Sequence, residues 1–280
     1  MPYSSINVGG KLMKFDSPKV MGILNATPDS FFEGSRCTTE KEIEARINEI
    51  ISEGADLIDV GAYSSRPDSQ NITPEEEWRR LKTALSILRN KYPDAIVSVD
   101  TFRSEIARKS VVEYGVDIIN DISGGELDDK MFQTVADLKC AYIMMHMRGT
   151  PQTMQQFCQY DDLFQDICHY FVEKLERLRE LGVANVVLDP GFGFSKTLDQ
   201  NYELMSFMQH FAILDKPLLV GISRKSMIYK FLGTDPSESL NGTTALNTLA
   251  LMKGADILRV HDVKEAVEVV KIFQKQNENQ

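Results

Sequence analysis

The stretch EGADLIDV, residues 53–60, closes one element and begins another: a glycine ends an amphipathic run, a polar residue turns the chain, and a short β-branched run follows. Near copies stand at 114–120 (YGVDIIN) and 253–260 (KGADILRV). Each reads as a glycine-capped helix passing into a strand, so the echoes mark repeated βα units. Working outward, apolar strand candidates fall at 18–25, 56–60, 95–100, 116–120, 140–146, 184–189, 217–222 and 255–260. Between them, stretches such as TEKEIEARINEIISEG (39–54) and PEEEWRRLKTALSILRN (74–90) repeat apolar residues at helical spacing.

Eight such alternations in 280 residues predict one α/β domain, a (β/α)8 TIM barrel. An open doubly wound sheet is the competing architecture, because periodicity does not show whether a sheet closes. The polar residues favour closure. They sit at the ends of nearly all the runs: Asn25, Gly61 and Ser65, Asp100, Asn120 and Asp121, Asp189, Arg224 and Lys225, Arg259 and His261. An open sheet gathers its site at one crevice, whereas a barrel brings every strand end to one face.

Residues 1–17 are expected to form a cap or hairpin at the lower end of a barrel spanning 18–275, with 276–280 as a flexible tail. The loops after the first two strands, NATPDSFFEGSRCTT (25–39) and GAYSSRPDSQNIT (61–73), exceed a minimal turn and are expected to move over a substrate. Another insertion, FLGTDPSESLNGTT (231–244), separates two short helical stretches after the seventh strand.

The net charge of −10 argues against a nucleic-acid or anionic-membrane surface, and no apolar run approaches the roughly 20 residues of a membrane span. The first ten residues show no export signal. Cys37, Cys140, Cys158 and Cys168 have no metal spacing and are too sparse for a disulfide scaffold, so the expectation is a cytoplasmic protein with reduced thiols.

Asp100 and Asp189 each follow an apolar run, and two carboxylates suit a planar, nitrogen-rich ring whose N–H donors they can accept. Asn120 adds an amide that both donates and accepts. A paired-carboxylate hydrolase would need a separation and a raised pKa that sequence does not reveal. In LLVGISRKSMIYKFLG (218–233), Ser223, Arg224, Lys225 and Ser226 fall where strand seven yields to a helix, and Arg259 and His261 are spaced i,i+2 in strand eight, on one side of it. These are the strands whose loops form the phosphate corner of such barrels, which points to a diphosphate leaving group. DPGFGFSK (189–196) lacks dinucleotide and P-loop spacing, and its glycines suit close approach of a flat ligand. Phe192 and Phe194 are candidates to stack on it, and Met144, Met145 and Met147 around His146 to line a flat pocket. No motif promises an all-protein metal cage, but Asn25 and Asp29 can supply an oxygen to Mg²⁺ held mainly by diphosphate and water.

The ordered series MGILNATPDSF, SSRP, VSVDTFR, INDISGG, MHMRGTP, LDPGFGF, GISRKS and RVHDV closely resembles the dihydropteroate synthase family of bacterial folate biosynthesis, from about Val20 to Val270. The resemblance implies a (β/α)8 barrel, commonly a dimer, that joins 4-aminobenzoate to 6-hydroxymethyl-7,8-dihydropterin diphosphate with Mg²⁺ and releases diphosphate. It assigns Asp100, Asn120, Asp189 and Lys225 to the pterin, with Met145 and Arg259 completing its pocket. Asn25, Arg259 and His261 serve the diphosphate and its metal. The site for aminobenzoate, the substrate that sulfonamides imitate, is implied to comprise Ser65, Arg66, Pro67, Phe194, Lys225 and Ser226. Loop two departs from the family's pattern at Ala62, Tyr63 and Ser65, and Ser195 stands where a glycine is usual.

A weak arylamine nucleophile and a diphosphate leaving group together suggest a dissociative substitution, in which Asp100 and Asp189 stabilise the ring cation and Lys225, Arg259 and His261 complete the catalytic set. Two other readings share the pterin site: a corrinoid methyltransferase, which has no diphosphate to hold, and a silent pterin-binding module.

Overall fold

The structure, a computed structural model, describes residues 5–26, 39–63 and 71–278. Strands β1 (Ser5–Val8) and β2 (Lys11–Lys14) pair as an antiparallel hairpin. The barrel strands follow: β3 (Lys19–Asn25), β4 (Leu57–Gly61), β5 (Ile96–Asp100), β6 (Ile118–Asp121), β7 (Ala141–Met145), β8 (Val186–Asp189), β9 (Leu219–Val220) and β10 (Ile257–Val260). All pair in parallel, in the order β8-β7-β6-β5-β4-β3-β10-β9. A parallel bridge between Leu188 and Leu218, with Leu188 N–H donating to Pro217 O at 2.9 Å, joins the two ends. This closure excludes the open sheet. The short β9 makes it the thinnest seam of the barrel.

The echoed GxD and GAD turns have a common physical job. Asp56, Asp117 and Asp256 each accept, through Oδ2, a backbone N–H at the start of a neighbouring strand: Val20 at 2.8 Å, Val97 at 2.9 Å and Leu218, just before β9, at 2.8 Å. In return, each aspartate's own N–H donates to the carbonyl of that same residue. A two-point clasp of this kind sets register, and a slip of one residue would break both bonds and invert every side chain.

Period-two alternation then sorts the strands into a bore and an outer layer. Val20, Leu24, Ile58, Val60, Val97 and Val99 point out against the helices. Met21, Leu57, Ile118, Ile143, Val187 and Ile257 point in, at the lower end, where Ile6, Val8, Met13 and Phe15 of the hairpin segment pack on them. Burying such a side chain contributes about 1.5–3 kcal/mol before entropy is counted, so the plug matters against a net stability of about 5–15 kcal/mol.

Helices α1 (Glu40–Ser52), α2 (Pro74–Lys91), α3 (Ser104–Tyr114), α4 (Met131–Leu138), α5 (Leu163–Glu180) and α6 (Leu198–Phe207) follow β3 to β8 in turn. Helix α1 starts with a capping box: Thr39 Oγ1 accepts Glu42 N–H and Thr39 N–H donates to Glu42. After β9 come α7 (Ser226–Leu232) and α8 (Leu240–Met252), separated by a 3₁₀ turn at Pro236–Glu238. Helix α9 (Val263–Asn277) runs past the boundary drawn at 275, so residues 276 and 277 are helical rather than part of a tail. No helix among the described residues is long and apolar enough to cross a membrane.

Candidate active site

Parallel register carries the polar strand ends to one level of the upper rim. Asn25 pairs with Gly61, Gly61 with Asp100, Asp100 with Asn120, and Met145 with Asp189. These residues, apart from Gly61, share a cavity of about 600 Å³ with Lys225, Ser226, Phe194, Arg259 and His261. Thus every residue that the resemblance assigns to the pterin, the diphosphate or aminobenzoate, where it falls within the described residues, lines one space. Ser65, Arg66, Pro67 and Asp29, and Cys37, lie outside the described residues.

Below the rim sits a residue that the strand-end reading missed. Asp59 is fully buried and, through Oδ2, accepts Arg259 Nε–H at 2.6 Å and Asn120 Nδ2–H at 3.0 Å, while Arg259 Nη2 donates to Asp100 Oδ2 at 3.0 Å. One guanidinium therefore joins two carboxylates and, through Asp59, the Asn120 amide. The signal was present in LIDVG: an aspartate between Ile58 and Val60 shares bore parity with Leu57 and Gly61.

Burial drives the Asp100 carboxyl up to about 7, even though Arg259 pulls it back, and the Asp59 charge adds to the rise. Burial also raises Asp189, which Lys225 opposes. Asp189 Oδ1 accepts Gly191 N–H at 2.8 Å. Lys225 is brought down to about 8 by burial against the attraction of Asp189. Its Nζ donates to Phe192 O at 2.6 Å and lies 4.6 Å from the Phe194 ring centre. A planar ligand here would meet acceptors at Asp100, Asn120 and Asp189 and a cation beside an aromatic face.

Some expectations need correction. Arg224 turns away from the cavity: at φ 55° it forms a two-pronged pair with Asp262 (2.9 and 2.7 Å) and donates to the carbonyls of Pro236 and Ser237. Asp121 serves its own turn, accepting from Ser123, Gly125 and Tyr142. Phe192 and Met144 pack in the outer core, whereas Phe194, Met145, Met154 and Ile122 form the apolar wall, with Met147 in the same cluster. His146 is buried, its Nδ1 3.0 Å from Lys196 Nζ, which donates to Gly191 O and Phe194 O at 3.1 Å each and ties down the loop after β8. Lys196, which burial lowers to about 7, was also missed.

The glycines of that loop act through backbone conformation. Gly191 has φ +73°, and a Cβ there would lie 2.0 Å from His146 O. Gly191→Ala combines left-handed strain with a backbone clash, and is expected to lower stability by about 3 kcal/mol and Tm by roughly 8 °C. A melting curve within two degrees of wild type would refute this. Ser195 adopts φ 45° without being glycine, held by Arg148 N–H donating to its Oγ at 3.0 Å and Tyr160 OH donating to its carbonyl at 2.9 Å.

For a metal, the donor set is sparse: among the described residues no group of three or more His, Cys, Asp or Glu is placed to hold one. A methyl at Gly61 would lie 3.6 Å from Asn25 Oδ1 and 3.8 Å from Asp100 Oδ2, so these two hard oxygens flank a position left bare. That fits a cation such as Mg²⁺ taking most of its ligands from phosphate and water.

Residues 21–261 match the family described as "Pterin binding enzyme". The chain belongs to this pterin-binding enzyme family. Its relatives in the family include the dihydropteroate synthase of Escherichia coli K12, a transferase, 40% identical over 95% of this chain and 94% of that protein. Among solved structures, pterin-binding enzymes again align closely. The Yersinia pestis dihydropteroate synthase solved with a sulfonamide drug superposes with a TM-score of 0.93 at 36% identity, covering 98% of this chain and 99% of that one. The Coxiella burnetii enzyme in complex with pteroic acid gives 0.89 at 29% identity, covering 99% and 100%.

Proposed function

We propose that the chain is a dihydropteroate synthase that joins 4-aminobenzoate to 6-hydroxymethyl-7,8-dihydropterin diphosphate, giving 7,8-dihydropteroate and diphosphate. The observation that carries this reading is that Asp100, Asn120 and Asp189 line one cavity together with Asn25, Lys225, Arg259 and His261. It holds acceptors for a flat heterocycle and donors for an anion in adjoining space. A relative from Xanthomonas albilineans, solved with 4-aminobenzoic acid, is 33% identical with a TM-score of 0.88 and covers 98% of each chain.

In this reading Asp100, Asn120 and Asp189 hold the pterin, with Met145 on its apolar face. Arg259, His261 and Asn25 hold the diphosphate. Phe194, Lys225 and Ser226, with Ser65, Arg66 and Pro67 of loop two, receive aminobenzoate, and a sulfonamide competes there. Substitution is dissociative: the carbon–oxygen bond to diphosphate breaks as cationic donors and N–H groups take up its charge, while Asp100 and Asp189 stabilise the cationic ring. The arylamine nitrogen then forms the new bond and loses its proton. Bound Mg²⁺, with Asn25 as a protein ligand, would neutralise diphosphate charge. In this proposal the reaction belongs to the cytoplasm. The test is a coupling assay with both substrates and Mg²⁺ that follows 7,8-dihydropteroate and diphosphate together. Pterin diphosphate binding without diphosphate release would overturn the reading.

A homodimer is part of the same proposal. Ile213, Phe231, Leu232 and Met252 are 80%, 64%, 51% and 63% exposed, on the 3₁₀ turn Met208–Leu214 and helices α7 and α8. These elements adjoin: Tyr202 and Phe231 rings lie 5.3 Å apart, and Lys253 Nζ bonds Ser206 O and Gln209. Such a patch on one side of the barrel suits a second copy. Phe231→Glu with Met252→Glu is expected to give a monomer by sedimentation equilibrium, and an unchanged dimer mass would reject this surface.

A further inference from the structure

Ser223 and His261 meet in the cavity wall beside the seam of β9 and β10. Ser223 Oγ lies 3.1 Å from the backbone nitrogen of His261 and 3.0 Å from its Nδ1. The backbone N–H can only donate, so Oγ accepts there. The hydroxyl hydrogen remains to be placed, Ser223 is buried, and among the described residues Nδ1 is its acceptor. If Nδ1 also carried hydrogen, the hydroxyl hydrogen would be stranded in a buried site, at the free-energy cost of an unmade hydrogen bond. A neutral imidazole that accepts at Nδ1 carries its proton on Nε2.

The surroundings keep the ring neutral. Burial first, then the charges of Arg259, Arg46, Arg224 and Lys225, bring His261 down to about 3. Arg46 also donates to the carbonyls of His261 and Ile23, which fixes the backbone that carries the ring.

We propose that Ser223 is a positioning residue that locks His261 as the neutral Nε2–H tautomer, so that the ring offers the departing diphosphate a hydrogen bond and serves neither as an acid nor, through Nε2, as a metal ligand. This rests on the diphosphate reading given above and specifies how that site works. A further cation among four would be repelled, whereas a neutral donor strengthens as charge grows on the leaving oxygens. An Nε2 that bears hydrogen has no lone pair for a cation.

The test is NMR on the whole enzyme labelled with ¹⁵N-histidine, with the His261 signals among the four histidines assigned by their loss in His261→Gln. Long-range ¹H–¹⁵N correlations of an Nε2–H imidazole are expected across neutral pH in the wild type and in Ser223→Thr, which keeps the hydroxyl. Ser223→Ala is expected to give a mixture of tautomers and to weaken binding of inorganic diphosphate, used as the probe, by about tenfold. His261→Gln, whose amide reaches toward the Nε2 position, is expected to lose less diphosphate affinity than His261→Asn. An Nδ1–H or imidazolium pattern, or a Ser223→Ala enzyme with wild-type spectrum and affinity, overturns the tautomer lock. Wild-type enzyme that shows the Nε2–H pattern but binds no diphosphate overturns the ligand assignment instead.

Discussion

Arg259→Met is expected to lower kcat/KM for the pterin diphosphate by at least ~10³-fold and to destabilise the barrel by about 3–5 kcal/mol, or roughly 10 °C in Tm. Arg259 is the shared partner of Asp59 and Asp100. Burial opposes its charge, but the two carboxylates outweigh that and hold it protonated. Methionine fills similar volume yet leaves two buried acids facing each other without a counter-charge. Asp100, already near 7, would rise further, because Arg259 is the influence that lowers it. The sign follows: any residual activity that needs ionised Asp100 moves to more alkaline pH. Steady-state kinetics over pH, together with a thermal melt, check both parts. A Tm within two degrees of wild type, or a pH profile shifted toward acid, would contradict the shared-partner account.

Asp189→Asn separates chemistry from folding. The amide keeps an oxygen that can accept from Gly191 N–H, and removes a charge that burial disfavours. Stability should therefore hold within about 1 kcal/mol, while kcat/KM for the pterin substrate falls by about 10²–10³-fold through loss of the carboxylate beside the ring and beside Lys225. Unchanged kcat/KM would remove Asp189 from the site. A collapse of Tm with unchanged kcat would make it a structural residue.

The barrel and most of its rim are legible in the sequence, because short apolar runs ending in polar residues are what parallel strands with chemistry at their tips look like. Asp100, Asn120, Asp189 and Arg259 each obey that rule. Asp59 lies one layer below the tips, where a buried charge is intelligible only once Arg259 and Asn120 are seen above it. Arg224 and Lys225 are adjacent, and nothing local says which enters the cavity. The left-handed backbone at Arg224 decides it, directing that side chain to Asp262. Phe192 and Phe194 differ for a related reason. Gly191 and Gly193 both have positive φ, so strand periodicity ends at Asp189 and cannot be carried into the loop. The closing contact between Leu188 and Leu218 pairs segments 30 residues apart across a two-residue strand, too little pattern to read in advance.

The paired bonds of Asp56, Asp117 and Asp256 lie at the opposite end of the strands from the cavity. Alignment of these strands is thus secured by atoms that no substrate or inhibitor meets. Evolution can remodel the mouth, exchanging Tyr63 or Ser195 for other residues, while the fastenings at the base keep the staves from sliding.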